Sequence, residues 1–349
     1  MLNMKSSRAG FPALISLLAV CACGPAVSST PLPTGAPPIL PTAMPTQTEA
    51  AAMTPAPQPS LAALTGQVSP DRLIGDVKAL SAIPSRHINN PGITKAADYI
   101  EGQMKAAGGS LQVAYQGFPL TVNGQATNQR NVIATLPGSD PSAGVIVIGA
   151  HYDSRTRDLG DSVSLAPGAN DNATGSAIVV ELARIFAATS PRATLDFVTF
   201  AGEEEGRLGS QYFMAAFNSH PDIRAMIALD IMGMDPGGTH SARLYSPGPA
   251  DSPSRRLAVF MAQHAAEGSP GFTVTVEDAS DRPGRYSDHL SFSDAGYPAA
   301  RFIQPQEDPA NHSPDDTADR LDPDYMARVT RAVLAGIYDL AWGDTRFTP

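Results

Sequence analysis

Three apolar runs in the middle of the chain each lead into acidic residues or histidine. The runs are Val145–Ile148, Leu195–Phe200 and Met226–Leu229. Their β-branched and other apolar side chains predict buried strands. The polar residues that follow them are His151 and Asp153, then Glu203 and Glu204, then Asp230. Because ligands in open α/β sheets bind beyond the carboxyl ends of the strands, these residues are candidates for one site.

Helical patterns separate these runs. Helices are predicted over Asp71–Leu80, Ile93–Ala107 and Leu208–Phe217. Two more are predicted to begin near Ala173 and after the cap Asp322-Pro323. The helix near Ala173 is expected to be amphipathic, with Gly175 at a close backbone approach. Strands are also predicted over Leu111–Gln116 and Asn131–Leu136, with a turn at Asn123-Gly124. Alternating elements predict an α/β fold, a single three-layer domain with a mainly parallel or mixed central sheet flanked by helices.

The N-terminal residues have the composition of an export segment and a linker. Residues 1–23 carry Lys5 and Arg8 before an apolar run that is too short to span a bilayer, which predicts a signal peptide. The sequence around Cys23 resembles a lipobox, so Cys23 is expected to be lipidated; an ordinary cleaved signal is the alternative. Residues 24–68 are rich in Pro, Ala and Thr and are expected to be a disordered linker, leaving 69–343 as the catalytic domain.

The charge and cysteine content limit the classes of function. There are 24 Lys and Arg residues against 34 Asp and Glu residues, for a net charge of −10. Without a basic run to neutralise phosphates, the sequence argues against nucleic acid as a partner. The only cysteines are Cys21 and Cys23, so the body has no disulfide framework.

The polar residues at the strand ends have the chemistry of a metal site. Zinc binds histidine nitrogen and carboxylate oxygen, and a catalytic zinc keeps one position open for water. Two zinc ions roughly 3.5–4 Å apart require a ligand that touches both. Asp171 is the best candidate for that bridge, because it lies at a predicted helix N-terminus, where negative charge is favoured.

The full set of motifs resembles the bacterial leucyl aminopeptidase and aminopeptidase Y family of co-catalytic zinc exopeptidases. The matching residues are His151-x-Asp153, Gly168–Asn172, Gly202-Glu203-Glu204, Asp230 and His312. The resemblance extends from about Arg86 to Asp322. No single motif is decisive, but their combination and order are specific.

The resemblance implies a role for each residue. His151 and Asp230 would hold one zinc, Glu204 and His312 the other, and Asp171 would bridge the two. Glu203 would be the general base, and Asp153 would orient the imidazole of His151. These assignments predict two Zn²⁺ per chain.

Several residues outside the ligand set also have expected roles, some with an alternative. Glu205 is expected to be a solvated acidic residue, and His87, His220, His240 and His264 ordinary surface or core residues. Asp288 and His289 match a family motif that lines the substrate pocket, although a polar turn before a strand is an equal alternative. Many family members have a tyrosine before the last histidine, where this chain has Asn311; Tyr286 or zinc itself could then stabilise the oxyanion. Loops Asp235–Thr239 and Asp278–Tyr286 are expected to form the pocket walls.

The expected function is removal of apolar or varied N-terminal residues from peptides with a free N-terminus. The chain is expected to be a monomer outside the cytoplasm, held at the bacterial cell envelope only through lipid on Cys23, or secreted if Cys23 is not lipidated. One alternative is a glutaminyl-cyclase-like acyltransferase with a single zinc. A carboxypeptidase or deacylase is another alternative, but such relatives generally carry an additional dimerisation domain, for which this chain has no room. A catalytically idle surface-binding ectodomain would be expected to lose ligands, and none is lost here.

Overall fold

The computed structural model describes residues 58–122, 124–217, 222–246, 248–277 and 286–347. The strands in these ranges are β1 (Gln112–Val122), β2 (Gln125–Leu136), β3 (Val145–His151), β4 (Thr194–Phe200), β5 (Ile223–Leu229), β6 (Ser241–Tyr245), β7 (Thr273–Glu277) and β8 (Ala299–Ile303). The helices are α1 (Leu61–Thr65), α2 (Pro70–Ser81), α3 (Gly92–Ala107), α4 (Thr174–Phe186), α5 (Leu208–Phe217), α6 (Pro253–Gly268), α7 (His289–Ser293) and α8 (Pro323–Trp342). None of these helices combines the length and apolarity needed to cross a bilayer.

The strands form one mixed sheet in the order β1-β2-β4-β3-β5-β8-β6-β7. The four central strands β4, β3, β5 and β8 are parallel, while β2 and β6 pair with them in the antiparallel direction. Parallel strands end at the same edge of a sheet, so the residues that follow β3, β4 and β5 lie side by side. The predicted α/β architecture is confirmed.

Alternating side chains of the central strands pack into two cores. Ile146 and Ile148 of β3 face the larger core, which is covered by α2, α3, α4, α6 and α8. Val145 and Val147 face the smaller core, where Phe213 of α5 and Phe292 of α7 cover the sheet. Helices on both faces complete the three layers.

Helix α4 has the amphipathic pattern that was predicted. Its apolar side chains lie in the larger core, while Glu181 and Arg184 on the other side form an ion pair. Every one of its residues except Arg184 is buried, because the sheet lies on one side and α2, α3 and α8 pack around it. The prediction for Gly175 is confirmed, since a Cβ there would lie 2.3 Å from the carbonyl oxygen of Leu229.

The folded body extends beyond the predicted limits of 69 and 343. Ser60 caps α1, and Leu64 and Val68 are buried in the larger core. Residues 58–68 therefore do not belong to a disordered linker, because these two apolar side chains anchor them. At the other end Phe347 is also buried. The predicted signal peptide, Cys23 and the rest of the predicted linker lie outside the described residues.

The remaining differences concern the β1–β2 hairpin and the short elements of the chain. Strands β1 and β2 form a hairpin longer than predicted, in which Val122 pairs with Gln125; Asn123 lies outside the described residues. The additional residues of β1 and β2 mix polar and apolar side chains, so they do not form the apolar runs from which strands were predicted. Helices α1, α6 and α7 and strands β6, β7 and β8 were not predicted. All of these except α6 have only five residues, which is too short for a clear periodic pattern.

Candidate metal centre

An inner group of three ligand-type side chains forms where β3, β5 and the start of α4 meet. His151 ends β3, Asp230 follows β5, and Asp171 lies in the Ala169–Ala173 turn before α4. Nε2 of His151 lies 3.2 Å from Oδ1 of Asp171 and 3.5 Å from Oδ1 of Asp230. These three residues, the inner group, converge on one point.

An outer group forms on the other side of Asp171. Nε2 of His312 lies 3.1 Å from Oδ2 of Asp171 and 3.1 Å from Oε1 of Glu204. Asp171, Glu204 and His312 are the outer group. The two carboxylate oxygens of Asp171 therefore face different histidines, as a bridging ligand must.

The donor atoms of both groups fit a cation. Oδ1 of Asp230 and Oε1 of Glu204 are buried and have no hydrogen-bond partner among the described residues. Burial alone would raise the pKa of Asp171, but hydrogen bonds from His151 and His312 hold it well below its usual range, so this carboxyl is charged. A buried oxygen without a partner is costly, and imidazole with carboxylate is a donor set that zinc accepts. In each group a zinc ion would satisfy these atoms.

An arginine holds the outward oxygen of each terminal carboxylate. Arg301 of β8 donates from Nη1 to Oδ2 of Asp230 at 3.1 Å. Arg155 donates from Nε to Oε2 of Glu204 at 2.7 Å. Asp230 thereby turns its Oδ1 toward the inner group, and Glu204 turns its Oε1 toward the outer group. No local motif indicates this role, because Arg155 and Arg301 are far in sequence from the carboxylates that they hold.

Asp153 connects the two groups. Its Oδ1 lies 3.4 Å from Nδ1 of His151. Its two oxygens also accept hydrogen bonds from the backbone N–H groups of Glu203 and Glu204, at 3.2 and 3.1 Å. Asp153 thus contacts the imidazole that it is expected to orient, and it fixes the turn after β4, a contact that the sequence did not predict.

The turn that carries Asp171 is fixed from the C-terminal part of the chain. The carboxylate of Asp316 accepts hydrogen bonds from the backbone N–H groups of Asn170, at 2.7 Å, and Asp171, at 3.0 Å. The side chain of Asn172 donates to the carbonyl of Leu229 at 2.9 Å. These bonds position Asp171 between the strand ends.

Arg86 is a fully buried cation beneath the site. Its guanidinium donates to the carbonyls of Tyr152, Pro167 and Gly168. Burial lowers its pKa to about 10, and nearby carboxylates oppose that shift, so it stays charged at neutral pH. It places a positive charge beside the acidic centre and ties the loops after β3 to the N-terminal segment.

Glu203 stands apart from the ligand groups. Its partly exposed side chain makes no hydrogen bond among the described residues. Burial, together with the nearby charges of Glu204, Asp288 and Asp230, raises its pKa well above the usual value. A free carboxylate with an increased proton affinity suits a general base.

Glu205 is not the solvated residue that was predicted. Its Oε1 lies 3.0 Å from Nε2 of His87, and the side chain is only 11% exposed. Burial would lower the pKa of His87, but the contact with Glu205 raises it. The buried imidazole needs a partner, which explains why the third glutamate of the triplet turns inward. His87 is a core residue, as expected, and His220 lies outside the described residues.

Asp288 and His289 are buried at the start of α7. Burial raises the pKa of Asp288 to about 7 and lowers that of His289 to about 3. His289 also lines a cavity of about 550 Å³ together with Arg301. The pocket interpretation is therefore favoured over a solvated polar turn.

Of the two loops expected to form the pocket walls, only the one that ends at Tyr286 contributes a described residue to the cavity. Tyr286 lines this cavity and is 54% exposed, whereas residues 278–285 lie outside the described ranges. Asp235 instead accepts hydrogen bonds from Thr239 and from the backbone of His240 within its own loop, and Asp235–Thr239 does not line the cavity. Asn311 buries an amide oxygen without a hydrogen-bond partner among the described residues.

The mixed sheet, with paired histidine and carboxylate groups beyond the carboxyl ends of its parallel strands, defines a class, the metal-dependent enzymes with an α/β fold. Residues 131–337 match the sequence profile of peptidase family M28. A probable zinc metalloprotease of Pyricularia oryzae is 34% identical over 82% of this chain and 67% of its own length. Another, from Leptosphaeria maculans, is 32% identical over 82% of this chain and 78% of its own. The chain belongs to peptidase family M28 and is a zinc-dependent peptide hydrolase.

Solved structures share the fold at low sequence identity. An aminopeptidase from Aneurinibacillus sp. strain AM-1 superposes with a TM-score of 0.67 at 20% identity, covering 83% of this chain and 98% of its own. A glutaminyl cyclase from Fimbriiglobus ruber superposes with a TM-score of 0.65 at 24% identity, covering 78% and 95%. Both likenesses support the predicted fold, and neither decides between the two activities.

Proposed function

We propose that this chain is an aminopeptidase that uses two zinc ions, of the kind found in bacterial leucyl aminopeptidases. The observation that carries the proposal is the placement of Asp171, whose two oxygens face His151 and His312 at 3.2 and 3.1 Å. His151 and Asp230 would hold one ion, Glu204 and His312 the other, and Asp171 both. When bound, the ions would supply a Lewis acid and an activated water.

The residues of the chain then have separate tasks. A carboxylate oxygen of Glu203 would accept the proton of the attacking water and return it to the leaving amine. Asp153 would hold His151 and the Glu203-Glu204 turn in place. The acidic groups around the centre would attract the free α-amine of a peptide, which gives a physical reason for cleavage at the N-terminus.

The test combines metal content with turnover. We expect about two zinc ions per purified chain, and hydrolysis of aminoacyl p-nitroanilides but not of their N-acetylated counterparts. A Glu203→Gln variant should keep its zinc and lose activity by roughly 10²–10⁴-fold. Glu205→Gln is the matched control, because this neighbour contacts His87 instead of the centre. Full turnover by the zinc-loaded Glu203→Gln variant would exclude Glu203 as the base.

A glutaminyl-cyclase-like acyltransferase is the second candidate. The observation in its favour is the fold that the chain shares with the glutaminyl cyclase of Fimbriiglobus ruber. That activity predicts one zinc per chain, and release of ammonia from N-terminal glutaminyl peptides without loss of the first residue. Two zinc ions together with released amino acid would exclude it.

The proposal includes the cellular location of the protein. Lipid on Cys23 would hold the catalytic body outside the cytoplasm, with the Pro-rich segment as a spacer. Mass spectrometry of the full chain purified from membranes should then find a lipid on the sulfur of Cys23. An unmodified Cys23 would contradict the anchor.

A further inference from the structure

We propose that Arg301 makes the cavity beside the metal centre a receptor for a carboxylate, so that the enzyme prefers peptides whose first residue is acidic. This inference rests on the proposed aminopeptidase function and names its substrate class. It replaces the expectation of apolar or varied N-terminal residues.

Arg301 has more hydrogen-bond donors than the protein satisfies. The residue is only 2% exposed. Nη1 donates to Asp230, while Nε is buried without a partner among the described residues. A guanidinium carries five N–H donors, and buried donors without acceptors are costly. An acceptor from outside the protein would remove this cost.

The space for that acceptor adjoins Arg301. Arg301 lines the cavity of about 550 Å³, and its guanidinium lies 5.2 Å from the ring centroid of Tyr245. Apolar and aromatic side chains make up much of the remaining wall, including Pro249, Leu290 and Tyr297. Such a wall suits the methylene groups of a ligand whose polar end reaches Arg301.

The charge of the cavity wall favours an anion. Arg301 is the only Lys or Arg among the described lining residues. The lining carboxylate, Asp294, has a side chain that is 70% exposed and lies 3.6 Å from Arg207. Asp294 is therefore a solvated rim residue with its own partner. The charge of Arg301 is buried and weakly screened, and Asp230 takes up one of its donors.

A carboxylate fits these donors better than the alternatives. It accepts charge-assisted hydrogen bonds from the planar guanidinium, which an amide does only through a neutral oxygen. An apolar side chain leaves the donors of Arg301 unpaired. We therefore expect the order Glu or Asp first, Gln or Asn second, and Leu last.

The carboxylate could come from the first side chain or from the C-terminus of a short peptide. Because Arg301 contacts Asp230 of the inner group at 3.1 Å, its donors lie next to the reacting centre. This position favours the side chain adjacent to the scissile bond. The experiment separates the two sources.

The first measurement is kcat/KM of the zinc-loaded enzyme for glutamyl, glutaminyl and leucyl p-nitroanilides. We expect the glutamyl substrate to exceed the glutaminyl one by about tenfold or more, since a site built for a polar group rejects analogues that lack it. Arg301→Met should abolish or reverse the Glu preference, and Arg301→Lys should retain part of it. Leucine-glycine and leucine-glycine amide test the second source: a preference for the free acid that Arg301→Met removes, without any Glu preference, would overturn the assignment to the side chain.

A second pair of variants leaves the contact between Arg301 and Asp230 in place. Ser293 lines the cavity at the end of α7. Ser293→Asp adds a negative charge, whereas Ser293→Asn adds similar volume without charge. The ratio of glutamyl to leucyl kcat/KM should fall about tenfold in the Asp variant relative to the Asn variant. Equal ratios in the two variants, with normal zinc content, would contradict the proposal.

The outcomes separate this inference from the proposed function. Rapid leucyl hydrolysis without a Glu preference would overturn the role of Arg301 and leave the aminopeptidase standing. If no aminoacyl substrate is cleaved, calorimetry with glutarate decides: binding to the wild type but not to Arg301→Met supports the carboxylate receptor without the aminopeptidase. No glutarate binding to either protein overturns the receptor as well.

Discussion

The inner and outer groups of the metal centre use the same chemistry in different surroundings. In the inner group, the His151 and Asp230 side chains are 2% and 6% exposed. In the outer group, the Glu204 and His312 side chains are 7% and 22% exposed. His151 ends a strand and Asp230 directly follows one, whereas His312 lies in a loop with φ of 58°. The inner half is thus part of the core, and the outer half is open to solvent.

This difference indicates a division of labour. An ion in the inner group would be shielded by the sheet, and its ligands would move little. An ion in the outer group would exchange more readily with solvent and would lie nearer to incoming ligands. Asp171 couples the halves, because one carboxylate contributes to both.

The strongest test removes that coupling. Asp171→Ala should lose both ions and reduce kcat/KM on the order of 10³-fold or more, because metal-assisted hydrolysis accounts for several kcal/mol of the barrier. Zinc content by mass spectrometry measures the loss directly. Retention of two ions by this variant would mean that the halves are independent, and that Asp171 is not the bridge.

Single-histidine variants should separate the halves. His312→Ala is expected to retain about one zinc, in the inner group, and His151→Ala about one, in the outer group. His240→Ala is a matched control, since His240 is half exposed and contacts Asp235; it should retain both ions. Equal loss of both ions in either ligand variant would contradict the comparison.

Graded chelation should show the same asymmetry without mutation. The outer ion is expected to leave first, because its histidine is the more exposed. Zinc content after dialysis against increasing chelator should therefore fall in two steps with a plateau near one ion per chain. A single step from two ions to none would show that burial does not distinguish the halves.

The smallest expected effect concerns the arginine that orients Glu204. Arg155→Met should lower the affinity for the outer ion about tenfold, within the range typical of residues that support metal ligands, and leave the inner ion unaffected. Arg157→Met is the control, because Arg157 is exposed and donates to the carbonyl of Pro309. Competitive titration with a zinc indicator measures both variants. An equal change in both affinities would place Arg155 in a general structural role.

The sequence predicted the elements that its local patterns encode. The β-branched runs located β3, β4 and β5, and the polar residues after them led to the ligand candidates that the structure brings together. His312 could be named only through the family resemblance, because its loop has no periodicity. The roles of the ligands remain predictions until the metals are measured.

What the sequence did not predict depends on contacts between distant residues. Arg86, Arg155, Arg301 and Asp316 have no local motif, and each acts on a residue at least 49 positions away. Glu205 was misassigned because the burial of His87 cannot be read from a run of three glutamates. The short strands β6, β7 and β8 depend on their neighbours in the sheet more than on their own composition.

The anchoring of Asp171 by Asp316 has a consequence for biosynthesis. The carboxylate that fixes the bridging residue is made 145 positions after it, and His312 is made only shortly before. A nascent polypeptide that has emerged only as far as α5 lacks Asp230 of the inner group and His312 of the outer group. The outer group is therefore complete only after His312 has been made, so zinc can fill both groups only late in synthesis or after it.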